Sequence, residues 1–277
     1  MPSWNELLAE FTQQTDDPAR ATWLTDRTTA ALDEVGRLRG SDDEPRNVIL
    51  YTSAFLQKPQ LPIFSTGITA EDLNAFMAVI YQMDCDRGLT LVLHTPGGQT
   101  NAAETIVAYL RSKFDDIEVI VPALAMSAGT MITLSALRIV MGRQSQLGPI
   151  DPQLVYSGRS VSAQAVVDQF AAAREDILTD VRLAHVWAPI LQSQGPSLLQ
   201  EAQNALAYGE RMVAGWLETG MFEGREDAKV MGANTAHHFN DATTHKSHGR
   251  RIDRDEARAQ NLEVEDLEIS QTLEKRL

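Results

Sequence analysis

The sequence predicts an α/β protein built around a mainly parallel β-sheet. Beyond residue 45, short apolar segments of strand type alternate with amphipathic segments of helical period. This alternation requires crossover connections, which place successive strands parallel in one sheet. The predicted strands span residues 48–51, 89–94, 117–121 and 138–141, and the helices between them span residues 69–83, 101–114 and 128–136.

Residues 1–45 are predicted to form a helical arm and linker ahead of a domain at residues 46–277. Ser3 is placed to cap a first helix, and Pro18 stands at the start of a second. Residues 40–45 combine Gly, Ser, Asp, Glu and Pro, a composition typical of a linker. We expect the arm to cover an open edge of the domain or to mediate assembly.

The sequence past Ser160 is mainly helical in pattern. Two long helices are predicted at residues 161–182 and 197–219, and a shorter one at residues 224–232. A final pair of helices is predicted after Ile252.

Composition and charge exclude several classes of protein. The 277 residues suit one large domain, with or without an appendage. A formal net charge of -14 disfavours a general nucleic-acid binder and docking on anionic membranes. Cys85 is the only cysteine, which excludes an intrachain disulfide and a cysteine-rich zinc site. The sequence shows neither a membrane-length apolar run nor a secretory signal, so we expect a cytoplasmic protein without a membrane anchor.

A glycine pair follows the second predicted strand, in the turn Thr-Pro-Gly-Gly at residues 95–98. Gly97 and Gly98 have no Cβ above their backbone N–H groups, so a ligand oxygen could approach closely, helped by the start of the next helix. Taken alone, this pattern is more often a tight strand-to-helix turn without a ligand.

A serine occupies the matching place after the third predicted strand, in the turn Ala-Met-Ser-Ala-Gly-Thr at residues 125–130. Ser127 at a helix start usually acts as an N-cap. The alternative is a nucleophile whose own helix start supplies an oxyanion donor, the N–H of Ala128. Because the carboxyl ends of parallel strands share one edge of a sheet, we expect both turns to face one pocket. This combination favours the nucleophile.

Other catalytic signatures are absent from the sequence. It has no GxGxxG after a strand, no Walker lysine motif and no GxSxG elbow. It also lacks an HExxH motif, so His245 and His248 have no support as zinc ligands. We therefore predict no cofactor and no metal.

Three motifs in order, at residues 91–98, 125–130 and 147–153, resemble the Clp/crotonase superfamily. Within it the sequence is similar to the serine dehydrogenase proteinase family, relatives of signal-peptide peptidase A. The resemblance implies a spiral ββα superhelix, and the sequence pattern adds the N-terminal helical arm and the helical C-terminal region. It also implies Ser127 as nucleophile and the N–H groups of Gly98 and Ala128 as an oxyanion hole. Members of the superfamily assemble, so a homo-oligomer acting on peptide or protein substrates is expected, and membrane-protein substrates are compatible with the family.

The positions that carry the general base in the related peptidases hold other residues in this sequence. Asp151 stands where Clp proteases carry a histidine, and no lysine lies between Lys113 and Lys229, where the signal-peptide peptidases place theirs. Aligned by eye, His248 falls at or next to the position of the Clp aspartate. The resemblance therefore implies a triad with two partners exchanged, in which His248 is the base and Asp151 orients it.

Several other interpretations of these residues stay open. His248 belongs to a basic segment that also suits a solvated loop, and Asp151 suits a turn that binds its own backbone. Lys246 and His94 are alternative bases, although His94 at a strand end is more often a core histidine. The remaining histidines, His185, His237 and His238, have no supporting context.

These residues lead to a predicted function and two alternatives. The first hypothesis is a serine-type endopeptidase that forms an acyl-enzyme on Ser127. The second is a catalytically impaired assembly or scaffold protein on the same fold, because the usual bases are missing. Acyl-CoA chemistry of the crotonase type is disfavoured, because it needs no nucleophilic serine. No dinucleotide fingerprint supports dehydrogenase activity.

Overall fold

The computed structural model describes residues 3–62, 65–156 and 158–269. The strands are β1 (Asn47–Thr52), β2 (Leu89–His94), β3 (Ile117–Val121), β4 (Leu124–Ala125), β5 (Arg138–Met141), β6 (Gln146–Leu147), β7 (Gln153–Tyr156), β8 (Arg159–Ser162) and β9 (Val264–Asp266). The helices are α1 (Trp4–Thr12), α2 (Asp17–Arg39), α3 (Asp72–Ile80), α4 (Thr100–Arg111), α5 (Ala128–Leu134), α6 (Ala163–Thr179), α7 (Ala184–Gln194), α8 (Leu198–Glu218), α9 (Ala228–Asn240), α10 (Ala242–His245) and α11 (Arg254–Ala259).

The main sheet has five parallel strands in the order β1-β2-β3-β5-β9. Its four predicted strands are confirmed. Its fifth strand corrects the predicted pair of helices after Ile252, because α11 is followed by β9 instead of a second helix. With only three residues, two of them acidic, β9 is too short to show an alternating pattern.

A second row of short pairings turns the sheet into a spiral. Ile68 bridges Gly98, Thr95 bridges Ala125, and β4 pairs with β6, all in parallel. Successive units thus place a long strand in the main sheet and a short segment in this row, with a helix packed behind. This is the ββα spiral that the resemblance implied, and it positions both motif-bearing turns in the second row.

The helical C-terminal region is confirmed with changes in detail. Two predicted helices correspond to α6 and α8, but α6 begins at Ala163 because residues 159–162 pair with β7 in a hairpin. Helix α7 was not predicted, and Pro189 lies inside it. Within the described residues, no helix combines the length and apolar character needed to cross a bilayer.

The predicted arm consists of α1 and α2, with Ser3 forming a capping box at the start of α1. The last turns of α2 pack on the outer face of the main sheet, where Val35 joins Val92, Ile120 and Val140 in one apolar cluster. The boundary of the arm at residue 45 stays a prediction.

A buried ion pair fastens α2 to the sheet. Arg39 Nε donates to Glu118 Oε1 at 2.9 Å, and Arg39 Nη2 donates to Glu118 Oε2 at 2.7 Å. The Glu118 side chain is fully buried. Burial alone would raise the pKa of Glu118, but hydrogen bonds from Arg39 and from the Thr90 hydroxyl outweigh burial and lower it. Arg39 also binds Glu265 in β9, so one guanidinium joins α2, β3 and β9.

We expect Arg39→Gln to lower the free energy of unfolding by about 3 kcal/mol, because it leaves the Glu118 charge buried with fewer partners. Urea denaturation of wild type and variant measures this. Arg87→Gln, which breaks the exposed pair with Asp84, is the matched control and should change stability by no more than about 0.5 kcal/mol. Equal effects of the two substitutions would contradict a fastening role for Arg39.

Candidate active site

The glycine turn and the serine turn lie side by side, as predicted. The Thr95 N–H donates to the Leu124 carbonyl at 2.9 Å, and the Met126 N–H donates to the Thr95 carbonyl at 3.1 Å. These two bonds fix the register between the turns at the carboxyl ends of β2 and β4.

Gly97 is the point of closest approach between the turns. A Cβ at this position would lie 2.7 Å from the Ser127 Cβ and 2.6 Å from the Met126 carbonyl oxygen. Its φ of +98° is also a conformation that residues with a Cβ rarely adopt. The glycine is therefore required both by the backbone and by the space beside Ser127.

Ser127 adopts a backbone conformation with positive φ, with φ of 52° and ψ of -114°. Such a conformation is costly for a residue with a Cβ and is retained where the surroundings enforce it, which is common at active sites. Ser127 stands at the N-cap position of α5, but its side chain makes no capping hydrogen bond. The usual N-cap role of a serine is thus not the one observed, and the hydroxyl is left for another use.

Two backbone N–H groups beside Ser127 have no acceptor among the described residues. Ile68 bonds the Gly97 carbonyl and the Gln99 N–H, so Gly98 between them points its own N–H away from Ile68. The Ala128 N–H is the first of α5 and precedes any intrahelical acceptor. These are the two groups predicted to form an oxyanion hole.

Asp151 and His248 form a hydrogen-bonded pair. His248 Nδ1 lies 2.7 Å from Asp151 Oδ1, and the Asp151 side chain is 2% exposed. Because a carboxylate only accepts, Nδ1 carries the proton, and Nε2 of neutral His248 presents a lone pair. The other carboxylate oxygen of Asp151 accepts from Gln153 Nε2 at 2.8 Å and from the Ser162 hydroxyl at 3.4 Å.

The turn that carries Asp151 packs directly on the serine turn. A Cβ at Gly148 would lie 2.5 Å from the Met126 methyl and 3.5 Å from the Ser127 nitrogen. Thr130 Oγ1 accepts the Gly148 N–H at 2.9 Å and donates to the Ala125 carbonyl at 2.7 Å. Within the described part of the chain, no hydrogen bond joins the Ser127 hydroxyl to His248.

The segment that carries His248 is tied to the same turn. Leu147 and Ile252 exchange two backbone hydrogen bonds of 2.9 Å each. The structure therefore brings the predicted Asp151–His248 pair to the end of the spiral where Ser127 lies, although the two partners are far apart in sequence.

The alternative bases are placed less favourably. His94 Nδ1 accepts the Leu124 N–H at 3.3 Å, its ring packs on Phe55, and burial lowers its pKa. His94 thus supports the turn that precedes Ser127, as a strand-end histidine often does. Lys246 is exposed, and among the described residues its side chain forms no hydrogen bond or ion pair. Residues 3–62, 65–156 and 158–269 contain no cluster of three or more His, Cys, Asp or Glu placed to hold a metal ion.

The family assignment rests on residues 46–184, which match the model of the ClpP-like SDH-type (serine dehydrogenase-type) serine proteinases. The chain belongs to this family. The matched part contains Ser127, Gly98, Ala128 and Asp151, whereas His248 lies outside it. In this ClpP-like family, the fold is the Clp/crotonase type that the three motifs indicated.

Two curated relatives are uncharacterized proteins of Methanocaldococcus jannaschii. One is 36% identical over 124 residues, which cover 44% of this chain and 43% of the relative. The other is 37% identical over 94 residues, which cover 34% of this chain and 32% of the relative. The chain thus matches less than half the length of either relative.

Solved structures of the 1510-N membrane-bound stomatin-specific protease are also similar. A serine-to-alanine mutant has a TM-score of 0.46 and 18% identity, covering 83% of this chain and 84% of that one. A lysine-to-alanine mutant in complex with a substrate peptide has a TM-score of 0.34 and 24% identity, covering 46% of this chain and 57% of that one.

Three residues that support the site were not predicted from the sequence. Gln153 and Ser162 donate to Asp151, and Thr130 joins the serine turn to Gly148. Thr130 lies in the motif at residues 125–130 and Gln153 in the motif at residues 147–153, and this position was the one sequence signal that could have indicated their role. Ser162 is the last residue of β8 but was placed in the predicted helix at residues 161–182, so its proximity to Asp151 was not predicted.

Gly97→Ala should lower the free energy of unfolding by about 2–4 kcal/mol, because the new methyl group meets Ser127 and the backbone is strained. Gly195→Ala is the matched control: Gly195 also has a positive φ, of +76°, but nothing lies within 4 Å of the place that a methyl group would take there. Its cost should be that of backbone strain alone, about 1–2 kcal/mol. Urea denaturation of both variants gives the comparison, and a Gly97→Ala protein as stable as Gly195→Ala would show that the two turns do not pack closely.

Proposed function

We propose that the protein is a serine peptidase that cleaves peptide bonds through an acyl-enzyme on Ser127. The observation that carries the proposal is the 2.7 Å hydrogen bond between His248 and buried Asp151, on a turn that packs against Ser127. Membership of a serine proteinase family supports the same chemistry.

In the proposed reaction, His248 Nε2 accepts the Ser127 proton while Oγ attacks the substrate carbonyl. Asp151 holds Nδ1–H and stabilises the imidazolium that forms. The N–H groups of Gly98 and Ala128 bind the oxyanion, and the imidazolium protonates the leaving amine. Water then attacks the acyl-enzyme by the reverse proton path and frees Ser127. No step requires a cofactor.

A hydrogen bond between the Ser127 hydroxyl and His248 Nε2 must form during catalysis. Catalytic hydrogen bonds are often long in free enzymes and tighten when substrate binds. His248 has room to adjust, since its side chain is 28% exposed and its loop is at the surface. We propose that substrate binding brings Nε2 to the serine hydroxyl.

We also propose peptide or protein substrates, cleavage within the chain and a homo-oligomeric protein. The arm supports assembly, since it exposes the apolar side chains of Trp4, Leu8 and Leu24. A catalytically impaired scaffold is the second candidate function, and the observation that favours it is that no hydrogen bond joins the Ser127 hydroxyl to His248 within the described residues.

A fluorophosphonate probe separates the two candidates. The probe reacts with an activated serine, so wild type should be labelled at neutral pH and Ser127→Ala should not. His248→Ala and Asp151→Asn should label about 10²- to 10⁴-fold more slowly. The readout is the rate of labelling followed by intact-protein mass.

His185→Ala is the matched histidine control, because His185 is exposed on α7 and far from this site in sequence. It should label at the wild-type rate. A fully reactive His248→Ala protein would rule out His248 as the base of the triad. Failure of the wild type to react would favour the catalytically impaired scaffold.

A further inference from the structure

The segment that carries His248 is held by a second polar network, formed by His245, Arg250 and Glu256. We infer that Arg250 is a positioning residue, which keeps the His248 loop in the orientation that its bond to Asp151 requires. The inference rests on the proposed function of His248 as the base. It concerns residues 245–256, beyond the part of the chain that matches the family model.

His245 is the inner member of this network and is 3% exposed. Its Nε2 lies 2.7 Å from the His238 carbonyl oxygen, and its Nδ1 lies 3.0 Å from Arg250 Nη1. Because arginine only donates, Nδ1 must accept and Nε2 must donate. His245 is therefore neutral with both nitrogens occupied, which leaves it no capacity to act as the base.

Arg250 links His245 to the next helix. Its Nη1 lies 2.6 Å from Glu256 Oε1 and its Nη2 lies 3.0 Å from Glu256 Oε2, a paired arrangement that fixes the guanidinium plane. Glu256 lies in the first turn of α11, whose start is capped by Asp253. One side chain thus ties the end of α10 to the start of α11.

The loop between these helices depends on that tie. Lys246 has a left-handed φ of 63°, and Lys246, Ser247 and Gly249 are exposed. Within residues 246–250, the backbone bonds that hold the loop are Lys246 N–H to the Ala242 carbonyl at 2.8 Å and Arg250 N–H to the Ser247 carbonyl at 3.0 Å.

Few hydrogen bonds among the described residues therefore hold His248 in place. One is the bond between His248 and Asp151. The others are the bonds of Arg250 to His245 and to Glu256, and the backbone pairing of Leu147 with Ile252 after the loop. A shift of about 1 Å in a catalytic group can cost 10²-fold in rate, so loss of the Arg250 tie should be visible in the reaction.

The test compares Arg250→Met, which keeps the side-chain length but loses all donors, with Arg251→Met. Arg251 is exposed and has no side-chain partner among the described residues, so it is the matched control. Fluorophosphonate labelling over a range of probe concentrations separates the maximal rate from the probe affinity. Arg250→Met should lower the maximal rate about 10- to 100-fold and leave the affinity within about twofold, whereas Arg251→Met should change neither.

A proton NMR measurement reads the loop without catalysis. The His248 Nδ1–H bonded to Asp151 should give a low-field resonance that His248→Ala removes. Arg250→Met should lose or broaden this resonance, and Arg251→Met should keep it. An unchanged resonance in Arg250→Met would overturn the inference even if the wild type is not labelled, so its failure is distinct from failure of the peptidase proposal.

Arg250→Lys guards against a variant that fails to fold. Lysine keeps one charge-assisted bond to Glu256 but loses the paired geometry and the contact with His245. It should fold and show an intermediate maximal rate. A wild-type rate and an unchanged resonance in Arg250→Lys would overturn the inference.

Discussion

The close approach of Gly97 to Ser127 is the constraint on which the rest of the site depends. A methyl group at Gly97 would meet Ser127 at 2.7 Å, so the two turns can lie together only because this residue is glycine. Their contact sets where the free N–H groups of Gly98 and Ala128 lie relative to the serine. Ser127 at this contact has a positive φ of 52°, and its side chain makes no capping hydrogen bond.

Around this contact, the spiral supplies each group from a different turn of chain. The glycine turn follows β2, the serine turn follows β4, and the Asp151 turn follows β6. Thr130 and the Leu147–Ile252 pairing link the last two units, so Asp151 and His248 are oriented by the same backbone that orients Ser127. On the outer face of the main sheet, Arg39 and Glu118 fasten the arm without contributing to this site.

The sequence predicted the strands that are continuous apolar runs and the helices that have a regular apolar period. The main strands at residues 89–94, 117–121 and 138–141 are buried apolar runs, which is why their limits were recognised. The short elements β4, β6 and β9 carry no period, and their pairing depends on contacts distant in sequence. The β7–β8 hairpin was not predicted, and the last two residues of β8, Val161 and Ser162, were assigned to the predicted helix because β8 leads directly into α6.

The residues of the candidate site likewise differ in how far the sequence could predict them. Ser127, Gly98 and Ala128 stand in local motifs whose chemistry can be read from neighbouring residues. The pairing of His248 with Asp151 could be suggested only through a family resemblance, and its 2.7 Å geometry needed the folded chain. The His245–Arg250–Glu256 network had no sequence signal, because its meaning depends on which atoms each side chain reaches.

The most direct measurement is a crystal structure of the protein after reaction with a fluorophosphonate. The phosphorus should be bonded to Ser127 Oγ, and the phosphonyl oxygen should lie about 2.7–3.1 Å from the nitrogens of both Gly98 and Ala128. His248 Nε2 should face Ser127 while Nδ1 keeps its bond to Asp151. An adduct on another serine, or a phosphonyl oxygen turned away from both N–H groups, would contradict Ser127 as the nucleophile of this site.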